Sequence, residues 1–115
     1  MNTRTIGSFG EKIAAKYLIS KGYKILLSNW TCYAGEIDLI TRNPNGMLTF
    51  VEVKYIRNKF CLPENLFNYK KKKHLRRTIG QYLGSHQFET WSFDLICISG
   101  VYPKVQVNHY KNLPL

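Results

Sequence analysis

The chain has 115 residues, 44% of them hydrophobic, and its 17 Lys and Arg against 7 Asp and Glu give a formal charge of +10. The length fits one domain, residues 1–115, and the apolar content excludes a disordered chain. No apolar run is long enough for a transmembrane helix or a signal peptide, so we expect a cytoplasmic protein. The basic charge favours polyanionic partners, and composition alone fits ribosomal, nucleic-acid and acidic-membrane association equally.

The three cysteines are odd in number and widely spaced, at Cys32, Cys61 and Cys97. The sequence has no Cys-x-x-Cys pair, which a zinc site or a redox motif would show. The spacing therefore predicts reduced thiols and argues against a zinc site.

The hydrophobic pattern predicts an α/β protein with a mixed β-sheet flanked by helices. A first helix is expected from about Ser8 to Lys21, with Gly22 as its C-terminal cap. The other predicted elements are strands over 23–29, 36–42, 47–55, 88–99 and 102–109 and a second helix from 63 or 64 to 84. The order is α-β-β-β-α-β-β, and the β-α-β step around the second helix predicts a parallel strand pair.

Glu11 in the first helix has two interpretations. The segment Ser8-Phe9-Gly10-Glu11 matches a capping box, in which Glu11 would serve only the helix N-terminus. On a helical wheel, however, Glu11 lies on the flank of the buried arc, near Ala14 and Leu18, where it is available to a site.

Acidic residues interrupt two apolar segments that otherwise predict a β-hairpin. The segments run from Gly35 to Ile40 and from Phe50 to Lys54, with a break at Asn43-Pro44-Asn45-Gly46 between them. Charged groups are seldom buried unless they are paired or hold a metal. The acids therefore indicate a site on the sheet.

The turn length fixes which acids face each other. For Asp38 and Glu52 to lie on the same face, opposed residues must have numbers that add to an even total, and this requires a loop with an odd number of residues. A three-residue loop, Pro44-Asn45-Gly46, with Gly46 left-handed, places Asp38 opposite Glu52. Two opposed acids are unfavourable unless positive charge lies between them, which Lys54 or a divalent cation would supply.

The second helix carries a run of cations: Lys70, Lys71, Lys72, Lys73, Arg76 and Arg77. Such a run is commonly just a solvated helix face. Here like charges at spacings of three and four repel, so an anionic partner is an equally good explanation. Together with Arg57 and Lys59 in the preceding loop, these residues are candidates for phosphate contacts, which give affinity without sequence specificity.

Asp38, Glu52 and Lys54 fit one kind of chemistry. Carboxylate oxygens suit Mg²⁺, which keeps several waters and binds substrate phosphates. Such an ion acidifies a water, and Lys54 would orient that water or stabilise charge on the phosphate. An Asp on one strand followed by Glu-x-Lys on the next is the minimal pattern of the restriction-endonuclease-like nucleases.

Nearly the whole chain up to about residue 98 resembles the YraN-like bacterial proteins of that superfamily. The matching segments are Gly10-Glu11, Ala14-Ala15, Tyr17-Leu18, Gly22-Tyr23, Asn29-Trp30, Gly35-Glu36-Ile37-Asp38-Leu39-Ile40, Phe50-Val51-Glu52-Val53-Lys54, Lys71 with Leu75, Tyr82-Leu83 and Phe93-Asp94. The chain departs from the family pattern at Cys61, where the family usually has Gly, and at Ser92, where it usually has Arg. The resemblance implies a Holliday-junction-resolvase-like core and a site at Glu11, Asp38, Glu52 and Lys54.

Together these observations lead us to expect a Mg²⁺-dependent (or Mn²⁺-dependent) nuclease or nucleic-acid-processing protein. It would act on DNA, including branched or damaged DNA, in DNA repair or recombination, without a membrane partner. Glu11, Asp38, Glu52 and the Val53 carbonyl would hold the metal, Lys54 would be catalytic, and Glu36 would form a structural salt bridge or a supporting contact. Junction enzymes of this fold usually work as dimers, so a homodimer is a further expectation.

Two other interpretations remain open from the sequence. A nucleic-acid-binding module of nuclease-like fold would bind without cutting. A purely structural hairpin would use its charges only to pair with one another.

Overall fold

The structure, a computed structural model, describes residues 3–56, 68–86 and 89–115. Within these ranges, two helices and five strands follow one another as α1 (Thr3–Ser20), β1 (Lys24–Cys32), β2 (Gly35–Arg42), β3 (Leu48–Ile56), α2 (Tyr69–Leu83), β4 (Trp91–Val101) and β5 (Lys104–Tyr110). A short 3₁₀ turn, Gly84–His86, follows α2. The predicted order α-β-β-β-α-β-β is confirmed; the expected start of α2 at 63 or 64 lies outside the described residues.

The five strands form one sheet in the order β1-β2-β3-β4-β5. All neighbours are antiparallel except β3 and β4, which pair in parallel from Leu48↔Trp91 to Ile56↔Ser99. This parallel pair is the one that the β-α-β step around α2 predicted, because a crossover helix returns the chain in the same direction.

Strand alternation divides the core between the two helices. Leu39 and Val51 pack with Ala14 and Leu18 of α1 on one face of the sheet. On the other face, Phe50 belongs to the cluster formed with Leu75 and Ile79 of α2. Because successive strand residues point to opposite faces, the central strands supply both clusters.

Helix α1 begins earlier than the sequence indicated and ends where it was expected to end. It starts at Thr3, so Ser8 lies inside the helix and is not its N-cap. The capping-box interpretation of Ser8 and Glu11 is therefore wrong, since only residues at the helix start have free N–H groups to cap. At the other end, Gly22 has φ +91° and the Tyr23 N–H donates to the Leu18 carbonyl at 2.9 Å, which closes the helix.

A buried carboxylate ties the end of the chain to the sheet. Asp94, 1% exposed, accepts a hydrogen bond from the Tyr23 hydroxyl at 3.1 Å and lies 2.7 Å from Nε2 of His109. Its second oxygen accepts the N–H of Asn112 at 3.0 Å. These three partners satisfy the buried acid, which would otherwise be strongly destabilising.

The expectation of three reduced thiols is partly wrong. Cys32 is a free thiol, whereas Cys97 is disulfide-bonded. Cys61 lies outside the described residues. Sequence spacing does not reveal which cysteines approach within bonding distance, because that depends on the tertiary fold.

None of the helices in the described ranges is both long enough and apolar enough to cross a membrane.

Gly35 allows the β1–β2 turn to approach α2 closely. Its φ is +151°, and a Cβ placed on it would lie 2.7 Å from Nε2 of His74 and 2.8 Å from Oγ1 of Thr78. Both distances are shorter than real Cβ contacts, so a larger residue would have to displace the side chains of His74 and Thr78 in addition to straining the backbone.

We expect Gly35→Ala to lower the free energy of unfolding by about 1–3 kcal/mol, because the added methyl group is overpacked. Gly80→Ala in α2 is the matched control. A Cβ there meets nothing within 4 Å, and alanine is favoured over glycine inside a helix by about 0.5–1 kcal/mol. Chemical denaturation of both variants would measure the difference. Equal stabilities would contradict the close approach at Gly35.

Candidate active site

The β2–β3 hairpin brings Asp38 and Glu52 together. Backbone pairs run from Arg42↔Leu48 to Leu39↔Val51, each adding to 90, so one further step places Asp38 opposite Glu52. At that step Oδ2 of Asp38 accepts the N–H of Val53 at 2.8 Å. The predicted register is confirmed for the backbone pairs from Arg42↔Leu48 to Leu39↔Val51, and a side-chain hydrogen bond joins Asp38 to Glu52 just beyond them.

The turn has the geometry that the register requires. The Gly46 N–H donates to the Asn43 carbonyl at 2.8 Å, and Gly46 has φ +84°. The Asn43 side chain accepts the N–H groups of Asn45 and Met47, each at 2.9 Å. Asparagine favours such turns because its side chain can bind backbone N–H groups further along the chain.

Glu52 binds its proton far more strongly than an ordinary glutamate does. Burial is the largest cause, and together with the hydrogen bond to Asp38 and the charge of Asp38 it raises the pKa of Glu52 to about 9. Lys54 acts in the opposite direction and does not cancel these effects. At neutral pH Glu52 is therefore protonated and donates to Asp38, so the two acids share one proton. The charge of Lys54 is therefore not enough to keep Glu52 ionised.

Glu11 reaches the same region from α1. Burial raises its pKa, the charge of Asp38 raises it further, and a hydrogen bond from the side chain of Asn29 lowers it. The charge of Glu36 has the smallest effect. Glu11 is thus close enough to Asp38 to interact with it, as the interpretation of Glu11 as a site residue requires.

Asn29 is a residue of this region that sequence reasoning did not assign to the site. It lies in β1 between the pairs Ser28↔Leu39 and Trp30↔Ile37, which places it across from Asp38. Its φ is +54°, a left-handed conformation that is uncommon outside glycine. Asparagine tolerates this conformation better than most residues, so the presence of an Asn in β1 was the sign in the sequence that the backbone here is unusual. The unusual backbone lets the side chain bind Glu11.

A cleft of about 450 Å³ opens between the sheet and α2. Its lining comprises Glu36, Glu52 and Lys54 from the sheet and Asn68, Lys70, Lys71, His74 and Leu75 from the helix side. Lys54 and Glu52 thus share one cavity. His74, which the sequence analysis did not place at the site, forms part of the opposite wall.

The predicted cations lie mostly on the surface. Lys70, Lys71, Lys73, Arg76 and Arg77 are exposed, and Lys72 is half-buried. Arg57 and Lys59 lie outside the described residues. The salt bridges among the described residues join Arg42 to Glu89 and His109 to Asp94, so the expected salt bridge of Glu36 is not present there.

The donor set fits Mg²⁺ better than a transition metal. Within the parts of the chain that the structure describes, no three His, Cys, Asp or Glu residues form a metal-binding group. Mg²⁺ does not need one, because it retains waters and commonly uses one or two carboxylates. Asp38 and Glu52 are adjacent carboxyl groups, whose oxygen atoms are the kind of ligand that Mg²⁺ prefers. The residues therefore fit this ion.

In the part of the chain that the structure describes, the mixed five-stranded sheet with one helix packed on each face is a restriction-endonuclease-like fold. The crystal structure of a repair endonuclease from Pyrococcus abyssi matches 89% of this chain with a TM-score of 0.51 and 12% sequence identity. The chain spans 40% of the length of that protein, and the likeness concerns the fold.

The chain belongs to the uncharacterised protein family UPF0102, whose family model matches residues 10–98. It is 42% identical over 99 residues to a UPF0102 protein of Caldanaerobacter subterraneus, covering 84% of this chain and 80% of the relative. It is 39% identical over 114 residues to a UPF0102 protein of Alkaliphilus oremlandii, covering 95% of this chain and 97% of the relative. These matches confirm the YraN-like resemblance.

Asn29 can be tested through its backbone. We expect Asn29→Ala to be less stable than Asn29→Gly by about 1–2 kcal/mol, since alanine is penalised in the left-handed conformation and glycine is not. Both variants lack the hydrogen bond to Glu11, so their difference isolates the backbone. Urea denaturation would measure it, and equal stabilities would show that φ is not held at +54°.

The raised pKa of Glu52 makes the metal-free fold sensitive to pH. Between the ordinary value of 4.5 and about 9, the unfolded chain releases a proton that the folded protein keeps. The free energy of unfolding should therefore fall as pH rises through this window. Glu52→Gln should flatten that dependence and be more stable than the parent at pH 8 by about 0.5–2 kcal/mol.

Melting curves in EDTA from pH 5 to 9 would measure this effect. The control is Glu89→Gln, a change at a half-exposed acid outside the site, which should keep the parent's slope. A parent whose stability rises with pH across the window would contradict the shared proton.

Proposed function

We propose that this protein is a metal-dependent nuclease that acts on DNA. The observation that carries the proposal is the hydrogen bond between Asp38 and a protonated Glu52, which lines a cleft together with Lys54. A structural ion-pair network would balance its own charges, whereas this pair is short of positive charge. A divalent cation would replace the shared proton and supply that charge.

The residues of the site divide into two roles. Asp38 and Glu52, with Glu11 and the Val53 carbonyl, would hold Mg²⁺ or Mn²⁺. When bound, such an ion lowers the pKa of a water and neutralises charge on a phosphate oxygen. Lys54 shares the cleft with Glu52 and would position the attacking water or stabilise the negative charge that develops on the phosphate.

The surroundings of the cleft support an anionic substrate. The cations of α2 begin at its wall with Lys70 and Lys71 and continue along the exposed face of the helix. Phosphate contacts of this kind hold a nucleic acid in place without reading its sequence. Selection among DNA structures would then come from shape, and we propose branched or damaged DNA as the substrate class, in DNA repair or recombination.

Two further parts of the proposal concern the cellular location and the oligomeric state. We propose that the protein is cytoplasmic and has no membrane partner. We also propose that it acts as a homodimer, as junction-cutting enzymes of this fold usually do. Analytical ultracentrifugation with and without DNA would test the second point.

One observation favours a second function, that of a nucleic-acid-binding module that does not cut. No group of three potential metal ligands is formed among the described residues. A binding module needs the basic helix and no metal. It has no use, however, for two acids that share a proton beside a lysine, and the nuclease therefore explains more of the site.

The cleavage test uses linear, single-stranded and branched DNA with Mg²⁺, Mn²⁺ or EDTA. We expect at least one substrate to be cut with metal and none with EDTA. Asp38→Asn, Glu52→Gln and Lys54→Ala should each reduce the rate by about 100-fold or more, because each removes a group needed in the transition state.

Glu89→Gln is again the matched control, since it removes an acid from the surface and should leave the rate unchanged. Cleavage that survives all three site substitutions would show that the activity has another source. Binding of DNA without cleavage under any metal condition would favour the non-cutting module.

A further inference from the structure

Two tyrosines of this protein hold their rings in solvent at opposite ends of α2. Tyr69 is the first residue of the helix and is 74% exposed. Tyr33 lies in the β1–β2 turn and is 87% exposed. Aromatic rings are large apolar surfaces that usually pack in cores or interfaces. Two such rings beside one helix therefore indicate a surface that binds something.

The turn that carries Tyr33 is fixed against α2. The Tyr33 hydroxyl accepts a hydrogen bond from Nε2 of Gln81 at 2.8 Å. The adjacent carbonyl of Ala34 accepts the hydroxyl of Thr78 at 3.3 Å. The ring of Tyr33 is thus held near the C-terminal end of the helix. Tyr69 and Gln81 are twelve residues apart, about 18 Å along the helix axis.

A row of cations lies between the two rings. Lys70, Lys73 and Arg77 are exposed and follow one another at spacings of three and four, so they occupy one stripe of the helix. The salt bridges among the described residues involve none of them. Three like charges in a row destabilise a helix unless an anion neutralises them.

We infer that this stripe, from Tyr69 through Lys70, Lys73 and Arg77 to Tyr33, binds single-stranded nucleic acid. The cations would contact phosphates, and the two tyrosines would stack on bases. Bases in a single strand are free to stack on aromatic side chains, whereas bases in a duplex are stacked on one another. The tyrosines therefore give the stripe a preference for single strands that its cations alone would not give.

The stripe continues into the cleft of the candidate active site. Lys70 belongs to both, and His74, one residue beyond Lys73, lines the cleft opposite Glu52 and Lys54. A single nucleic-acid strand bound along the stripe would pass close to Glu52 at the end of the stripe where Lys70 lies. This delivery role rests on the proposed nuclease function, whereas the binding itself does not.

Binding can be measured without metal, which separates it from cleavage. We would titrate the protein in EDTA against a fluorescein-labelled oligothymidylate and against a hairpin duplex of the same number of nucleotides, following anisotropy. The double variant Tyr33→Ala/Tyr69→Ala should bind the single strand about 25-fold or more weakly, since stacking on each aromatic ring contributes about five-fold to 150-fold per base. Its affinity for the duplex should not change.

Three further variants test whether the two tyrosine rings and the cations between them account for the binding. Tyr33→Phe/Tyr69→Phe keeps both rings and should retain single-strand binding. Tyr102→Ala changes another exposed tyrosine, which contacts Phe9 on the α1 side of the sheet, and should have no effect. Lys73→Gln/Arg77→Gln should weaken the binding of both nucleic acids. It should also flatten their salt dependence by roughly one unit of slope for each phosphate that the replaced cations neutralise.

The inference is overturned by any of three results: no binding of the single strand by the parent, no weakening in the tyrosine-to-alanine variant, or an equal weakening for duplex and single strand. Failure of cleavage with intact tyrosine-dependent binding would overturn the nuclease proposal and leave this inference standing.

Discussion

The opposition of Asp38 and Glu52 is the constraint around which the site of this protein is built. Two carboxyl groups face each other at the point where the backbone pairs of β2 and β3 end, and Asp38 takes the Val53 N–H in place of a further pair. Repulsion and burial leave Glu52 protonated. A fold that keeps this arrangement gives up stability at neutral pH, which is common where a site is held ready for a ligand.

The two helices surround this pair of acids. The alternation of the central strands places one apolar cluster under α1 and another under α2, and so fixes both helices against the hairpin. From α1, Glu11 reaches towards Asp38 and is held by Asn29. From α2, basic side chains close the cleft over Glu52 and Lys54. Acidic and basic groups thus meet because each helix covers a different face of one hairpin.

The local features of the site were predictable, and the contacts between distant segments were not. The odd loop length and the position of Gly46 set the hairpin register, so the pairing of Asp38 with Glu52 followed from the sequence. The role of Asn29 did not, because it depends on a left-handed backbone in β1 and on the docking of α1. The place of His74 in the cleft likewise depends on how α2 lies across the sheet, and the state of Cys97 depends on the tertiary fold.

By itself, the sequence determined the elements, their order, the parallel crossover and the two-residue periodicity that puts the acids on one face of the hairpin. These are consequences of short-range sterics and hydrophobic pattern, which a chain carries within each segment. Only the tertiary structure decided that Glu11 lies near Asp38 and not at a helix cap, that the pKa of Glu52 is raised, and that Lys70 and Lys71 line the cleft. Those properties arise from burial and from charges brought together from remote parts of the chain, and no local pattern contains them.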